Sequence, residues 1–151
     1  ELAGMHDNPC GDDRYYNNVF VKRPDLRQYD NAQLPVWAAG NLYLGGAKPT
    51  QYDSRTVVDA RSDPSIRLVE KPDGCYLEFT PGSAWSDERA CPLVTTELLG
   101  KAVIPDVPYE QPDGTPIRIN TDYSGKPRNE AKPTPGPFEN PGAGPLTLKV
   151  W

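Results

Sequence analysis

Apolar and polar residues alternate with a period of two along much of this chain, and no window longer than two turns keeps the helical period without meeting proline or glycine. Over residues 14–21, Tyr16, Asn18 and Phe20 fall on one face, and Tyr15, Asn17, Val19 and Val21 on the other. Cys75, Leu77 and Phe79 alternate with Tyr76, Glu78 and Thr80; Ile117 and Ile119 with Arg118 and Asn120; Leu146, Leu148 and Val150 with Thr147, Lys149 and Trp151. Further extended runs cover residues 36–44, 56–60, 66–71 and 93–104. The best helical stretch, residues 83–90, is short and polar and runs up to Pro92. The pattern predicts an all-β fold.

Turn signals punctuate these runs. Asp73-Gly74 and Asp113-Gly114 each follow a proline and combine a side chain that bonds its own backbone with a residue free to take positive φ. One internal echo stands out: Asn18-Val19-Phe20-Val21 recurs as Asn41-Leu42-Tyr43-Leu44, 23 residues later. A period in the low twenties is the length of one solenoid coil, and such repeats bury a core by stacking on neighbours. Residues 66–69 are the place for a third copy, without its asparagine and aromatic. Residues 105–145 hold ten of the eighteen prolines. Proline donates nothing to a ladder, so this stretch reads as an extended strap in which residues 117–121 and 146–151 pair where they can. The organisation expected is coils and short strands over 1–104, then a proline-rich strap and closing strand over 105–151, in one domain.

Composition narrows the function. The chain has 151 residues, 18 Pro and 13 Gly, and a net charge of −5, which fits a loop-rich domain with a thin core. No run of 18 apolar residues is present, which excludes a membrane-spanning helix. No basic stripe is present, which argues against a nucleic-acid surface. Residues 1–6 have neither the basic nor the apolar region of a signal peptide. Cys10, Cys75 and Cys91 form no CxxC pair, and His6 is the single histidine, so no zinc cage is expected.

The coil Gly40-Asn41-Leu42-Tyr43-Leu44-Gly45-Gly46-Ala47-Lys48-Pro49, following Tyr15-Tyr16-Asn17-Asn18-Val19-Phe20-Val21, resembles the last coils of right-handed parallel β-helix carbohydrate-active proteins. Asn120-Thr121-Asp122-Tyr123-Ser124-Gly125-Lys126-Pro127-Arg128, with Pro133-Thr134-Pro135-Gly136-Pro137-Phe138-Glu139 after it, is similar to their usual ending. Among them, the match is to the β-xylosidase-like glycoside hydrolases grouped as family 120. The resemblance implies the C-terminal coils of such a helix, a glycosidase lineage, an oligosaccharide or polysaccharide partner of plant or microbial origin, and a secreted or periplasmic setting. It also implies contact with an upstream segment of a longer chain or with further copies. Family members place their nucleophile and acid/base upstream of the matching part, so no catalytic pair carries over. A small β-sandwich acting as a non-catalytic binding or structural module is the alternative.

Candidate chemistry concentrates in His6-Asp7-Asn8-Pro9-Cys10-Gly11-Asp12-Asp13. Glycosidases flank the scissile bond with two carboxyls, roughly 5 Å apart or roughly 6.5–9.5 Å apart. A turn at Pro9 and Gly11 would bring Asp7 and Asp13 together as that pair, with His6 orienting one of them and Asn8 and Asp12 contacting sugar. A loop of Asx turns is the plainer reading of the same residues. No organic cofactor is expected; calcium is the one ion for which Asp7, Asn8, Asp12 and Asp13 offer oxygen ligands. Sugars stack their C–H faces on aromatic rings, which makes Trp37 and Trp85 ligand platforms, Trp85 the more exposed by its polar context, and Trp151 a core residue of an alternating strand. Asp122 and Arg128 are expected to pair and close the last coil. Glu78, Glu97 and Glu110 are single carboxylates without a partner.

Overall fold

A computed structural model of the chain describes residues 9–23, 25–86 and 91–151. Among them the elements run β1 (Asp13–Tyr16), β2 (Val19–Val21), a 3-10 helix (Leu26–Asn31), β3 (Val36–Ala39), β4 (Leu42–Leu44), β5 (Asp53–Ser54), β6 (Val57–Asp59), β7 (Arg67–Lys71) and β8 (Gly74–Phe79). A second 3-10 helix (Ser83–Ser86), a single-turn α-helix α1 (Thr96–Leu99) and β9 (Leu146–Lys149) complete the chain. The fold is all-β, as the alternation predicts.

Two sheets are parallel, ordered β1-β3-β5 and β2-β4-β6, and the third is antiparallel, ordered β7-β8-β9. The 23-residue echo is a strand register: Val19 pairs Leu42, Phe20 pairs Tyr43 and Val21 pairs Leu44. The next coil arrives sooner than the echo suggests. Leu42, Tyr43 and Leu44 pair with Val57, Val58 and Asp59, fifteen residues on. Residues 66–69, the expected third copy, enter the antiparallel hairpin instead, where Arg67 pairs Glu78 and Lys71 pairs Gly74 across the Asp73-Gly74 turn. The first coil is longer because its excursion from β2 to β3 carries the 3-10 helix Leu26–Asn31.

The extended runs 14–21 and 36–44 are each two strands bent at a corner. Asn17 (φ 57°), Gly40 (φ 71°) and Arg55 (φ 57°) are left-handed and stack in successive coils. The Asn17 N–H donates to the Ala39 carbonyl (3.1 Å) and the Gly40 N–H to that of Ser54 (2.9 Å). Gly40 is required twice over: a Cβ there would lie 2.5 Å from Asn17 Oδ1 and 3.2 Å from Cys91 Sγ, and its φ strains any L side chain. The corner resets the alternation, so Tyr15 and Phe20, opposite in a straight strand, both reach the coil interior with ring centres 6.4 Å apart.

The repeated asparagine has a structural role. Asn41 is fully buried. Its Oδ1 accepts from the Asn18 N–H (2.8 Å) and amide (3.1 Å), and its Nδ2 donates to the Tyr15 carbonyl and to Asp53 Oδ2, each at 2.8 Å. A buried backbone bend is thereby satisfied by side chains.

Sheet β2-β4-β6 is covered on both faces. Inward, Phe20 and Tyr43 stack with centres 5.1 Å apart, joined by Leu26, Ala47, Tyr15 and Tyr29. Outward, Leu42 and Leu44 pack against the antiparallel sheet through Phe79, Trp85 and Phe138, with Leu77, Leu146 and Leu148 adding to the cluster. The central strand β4 is buried at all three positions, which explains its unbroken apolar character.

Residues 93–104 hold α1 in place of the expected strand; Thr95 caps it by accepting from the Leu98 N–H at 3.2 Å. Beyond it, the proline-rich stretch folds as tight turns closed by the bridges Lys101–Pro108, Glu110–Pro116 and Thr121–Pro127, where proline need only accept. Residues 117–119 pair back on 94–96: the Ile119 N–H donates to the Val94 carbonyl (2.9 Å) and that of Thr96 to the Ile117 carbonyl (3.0 Å). No helix among the described residues is long and apolar enough to cross a membrane.

Candidate functional site

The outer face of sheet β1-β3-β5 carries two cross-strand rows. Register places Arg14 beside Trp37 and Tyr16 beside Ala39 on β1 and β3, and Ser54 beside Ala39 on β5. Val36 and Ala38 point inward and are buried, so Trp37 and Ala39 point out. A small residue between Tyr16 and Ser54 leaves a depression, and Tyr52, 44% exposed, follows Trp37 along its rim. Pro92 and Leu98, the latter on α1, form the opposite wall. The result is a groove of about 430 Å³, with Arg55 at its end. Three aromatic side chains, a methyl floor and a hydroxyl are a combination that suits a ligand with apolar faces and polar edges.

Arg14 holds this groove together. Its guanidinium, on a side chain 6% exposed, lies 3.9 Å from the Trp37 ring centre and 4.8 Å from that of Tyr109. Nε donates to the Leu99 carbonyl (2.9 Å), Nη2 to that of Lys101 (2.6 Å), and Nη1 to the carbonyl and carboxylate of Asp12. One cation thus stacks on one wall and captures the main chain next to Leu98 on the other. Asp12 Oδ2 accepts from the Val103 N–H at 2.8 Å. The Arg14 hydrogen bond, against an opposing effect of burial, keeps the Asp12 carboxyl below the usual carboxylate range.

The structure distributes the sequence candidates as follows. His6, Asp7 and Asn8 lie outside the described residues. Asp12, expected to contact sugar, has both carboxylate oxygens engaged in the clamp just described. Asp13 lies on the inward face of β1 with Tyr15, paired with Val36 in the strand ladder, and among the described residues no hydrogen bond or ion pair engages its side chain. Trp37 lines the groove. Trp85, expected as an exposed platform, is 6% exposed inside the core with Nε1 donating to the Pro135 carbonyl (3.2 Å); Trp151, expected in the core, is 87% exposed. Trp85 closes the apolar layer because its ring packs at a tilt against Phe79, at 5.7 Å between centres, whatever the polarity of its neighbours in sequence.

Asp122 and Arg128 do not pair with each other. Asp122 accepts from the N–H groups of Ser124, Lys126 and Glu139 at 2.8–2.9 Å. Burial raises its pKa, but these three bonds and the Arg128 charge outweigh it, and the carboxyl lies below its ordinary value. Arg128 forms its ion pair with Glu139 at 3.4 Å and donates to the carbonyls of Thr134 and Gly136, both at 2.9 Å. Backbone donors of the Asp-led turn saturate Asp122 first, which leaves Glu139 to face the guanidinium. Among the described residues no group of three or more His, Cys, Asp and Glu side chains is placed to hold a metal ion, and no disulfide joins Cys10, Cys75 and Cys91.

Arg14, Tyr16, Ala39 and Tyr52 escape sequence reasoning. The signal that finds the first three is the 23-residue register extended upstream, which sets Arg14 against Trp37 and Tyr16 against Ala39; Tyr52 belongs to the next coil, at the shorter offset of fifteen.

The class of the fold is all-β, two short parallel sheets of stacked coils with an antiparallel sheet beside them, and it matches a β-helix protein structure. The fold matches the solved structure of XylC in complex with xylose at a TM-score of 0.78 and 25% sequence identity. The match covers 93% of this chain and 26% of that one, so the chain spans about a quarter of XylC's length. It supports a relation to the β-helix glycoside hydrolases that the sequence resembles. No protein-family model and no curated protein matches the sequence.

Proposed function

We propose that this chain is the saccharide-binding coil region of a carbohydrate-active β-helix protein of glycosidase lineage, and that the groove on sheet β1-β3-β5 receives the sugar. The observation that carries this reading is the groove's chemistry: the Trp37 ring, backed on one side by Arg14, flanks the methyl floor at Ala39 and the hydroxyls of Tyr16 and Ser54. A pyranose offers a C–H face to the indole and hydroxyl edges to the polar groups. The likeness to a xylose-complexed protein supports a pentose-containing ligand.

The test is titration of the chain with xylobiose, followed by calorimetry and by chemical shifts of the groove residues. Trp37→Ala should weaken binding about tenfold, the size of a lost ring contact of roughly 1–1.5 kcal/mol. Ala39→Phe, which fills the floor, should abolish it. Binding that is indifferent to both substitutions would place the sugar elsewhere.

A further inference from the structure

The groove continues past Tyr16. A second cavity, of about 460 Å³, adjoins it, and Tyr16 lines both. Asn18 and Phe20 of the first coil, Val94, Ile119 and Arg128 are among its walls. The two cavities also meet along the chain segment that turns from Pro92, in the first, to Leu93 and Val94, in the second. Each falls by itself in the usual size range of a small-molecule site.

Polar handles sit where the cavities join. Among the described residues nothing hydrogen-bonds the Tyr16 hydroxyl. Burial pushes its pKa up, so it stays a neutral donor and acceptor at neutral pH. Asn18, which also lines the second cavity, spends its amide N–H groups on the Tyr16 carbonyl (3.3 Å) and Asn41 Oδ1 (3.1 Å), so its side-chain oxygen is left as an acceptor. Ile119, 48% exposed, supplies an apolar surface opposite. The second cavity therefore repeats the mixture of the first: an apolar wall with hydroxyl-matching groups at its edge.

We propose that the two cavities are adjoining subsites of one groove, that the ligand is an oligosaccharide spanning both, and that Tyr16 contacts the two sugar units at their junction. This rests on the reading that the Trp37 groove holds a saccharide. It adds the ligand's length, the second subsite and the residue between the two.

The experiment compares xylose with xylotriose on the folded chain, with circular dichroism confirming the fold of each variant. In the unmodified chain xylotriose should bind more tightly by about tenfold or more. The ratio should fall to about one in Tyr16→Ala, and likewise in Ile119→Trp, which fills the second cavity from a half-exposed position that the fold tolerates. Equal affinities for the two sugars in the unmodified chain, or a ratio unchanged in Ile119→Trp, would overturn the second subsite while leaving the Trp37 reading intact. Absence of binding by either sugar would overturn the saccharide reading and this proposal with it.

Discussion

The Arg14 guanidinium lies between the rings of Trp37 and Tyr109, 3.9 Å from one centre and 4.8 Å from the other, with its N–H groups on the carbonyls of Leu99 and Lys101. A planar cation can stack and donate in its own plane at once; an ammonium cannot. Arg14→Lys should therefore keep the charge and still destabilise the fold by about 2 kcal/mol, the size of several lost charge-assisted hydrogen bonds after partial replacement. A urea unfolding midpoint that moves by less than the error of extrapolation would contradict this.

Gly40 and Gly100 separate two costs of a left-handed residue. Gly100 (φ 69°, ψ −136°) has nothing within 4 Å of an added Cβ, so Gly100→Ala should cost only backbone strain, about 1–3 kcal/mol. Gly40 (φ 71°) has Asn17 Oδ1 and Cys91 Sγ in the way. Gly40→Ala should cost clearly more, about 3 kcal/mol or above, because the coil corner must open as well. Thermal melts of the two variants give the comparison.

Asp122 makes stability depend on acid. Its folded pKa is depressed below the ordinary value of about 3.9, so its contribution is complete above that value and is lost as pH falls through the folded one. The melting-temperature gap between the wild type and Asp122→Asn should be widest near neutrality and shrink below about pH 4. A gap independent of pH would show that the three N–H groups donate to the amide as well as to the carboxylate.

Two tryptophans in reversed positions give the clearest contrast in stability. Trp85→Ala removes a ring packed between Phe79 and the coil and should cost about 3–5 kcal/mol. Trp151→Ala, at an 87% exposed side chain, should stay within about 0.5 kcal/mol. Denaturant titrations of both variants check the difference.

Much of the architecture is readable in the residues, and the failures share a cause. The echo of Asn18-Val19-Phe20-Val21 in Asn41-Leu42-Tyr43-Leu44 gives the parallel register directly, because stacked coils place like side chains on like. The third coil hides because Thr56-Val57-Val58-Asp59 keeps the strand but loses both the asparagine and the aromatic. The corner at Asn17 hides for another reason: alternation counts straight through a left-handed residue, so Tyr15 and Phe20 seem to face opposite ways. Trp85 is misjudged because local polarity says nothing of the Phe79 and Phe138 rings that it packs with, and Trp151 because strand alternation is carried past Lys149, where β9 ends. The groove is legible only in Trp37, since its floor and partners come from cross-strand register and not from any motif.

The unequal coils have a further consequence. Strand pairing runs without a slip from the first coil to the second and on to the third, although the second pairing is reached eight residues sooner. Loop length therefore does not set the register; the left-handed corner and the Asn18–Asn41 contact do. The excursion between β2 and β3 is a place for insertion only where Leu26 and Tyr29, which pack in the core, are spared, since loop closure costs grow only slowly with length. Segments grafted there would leave the row of Tyr16, Ala39 and Ser54 undisturbed on the outer face, which separates the part of the chain free to vary from the part that fixes the groove.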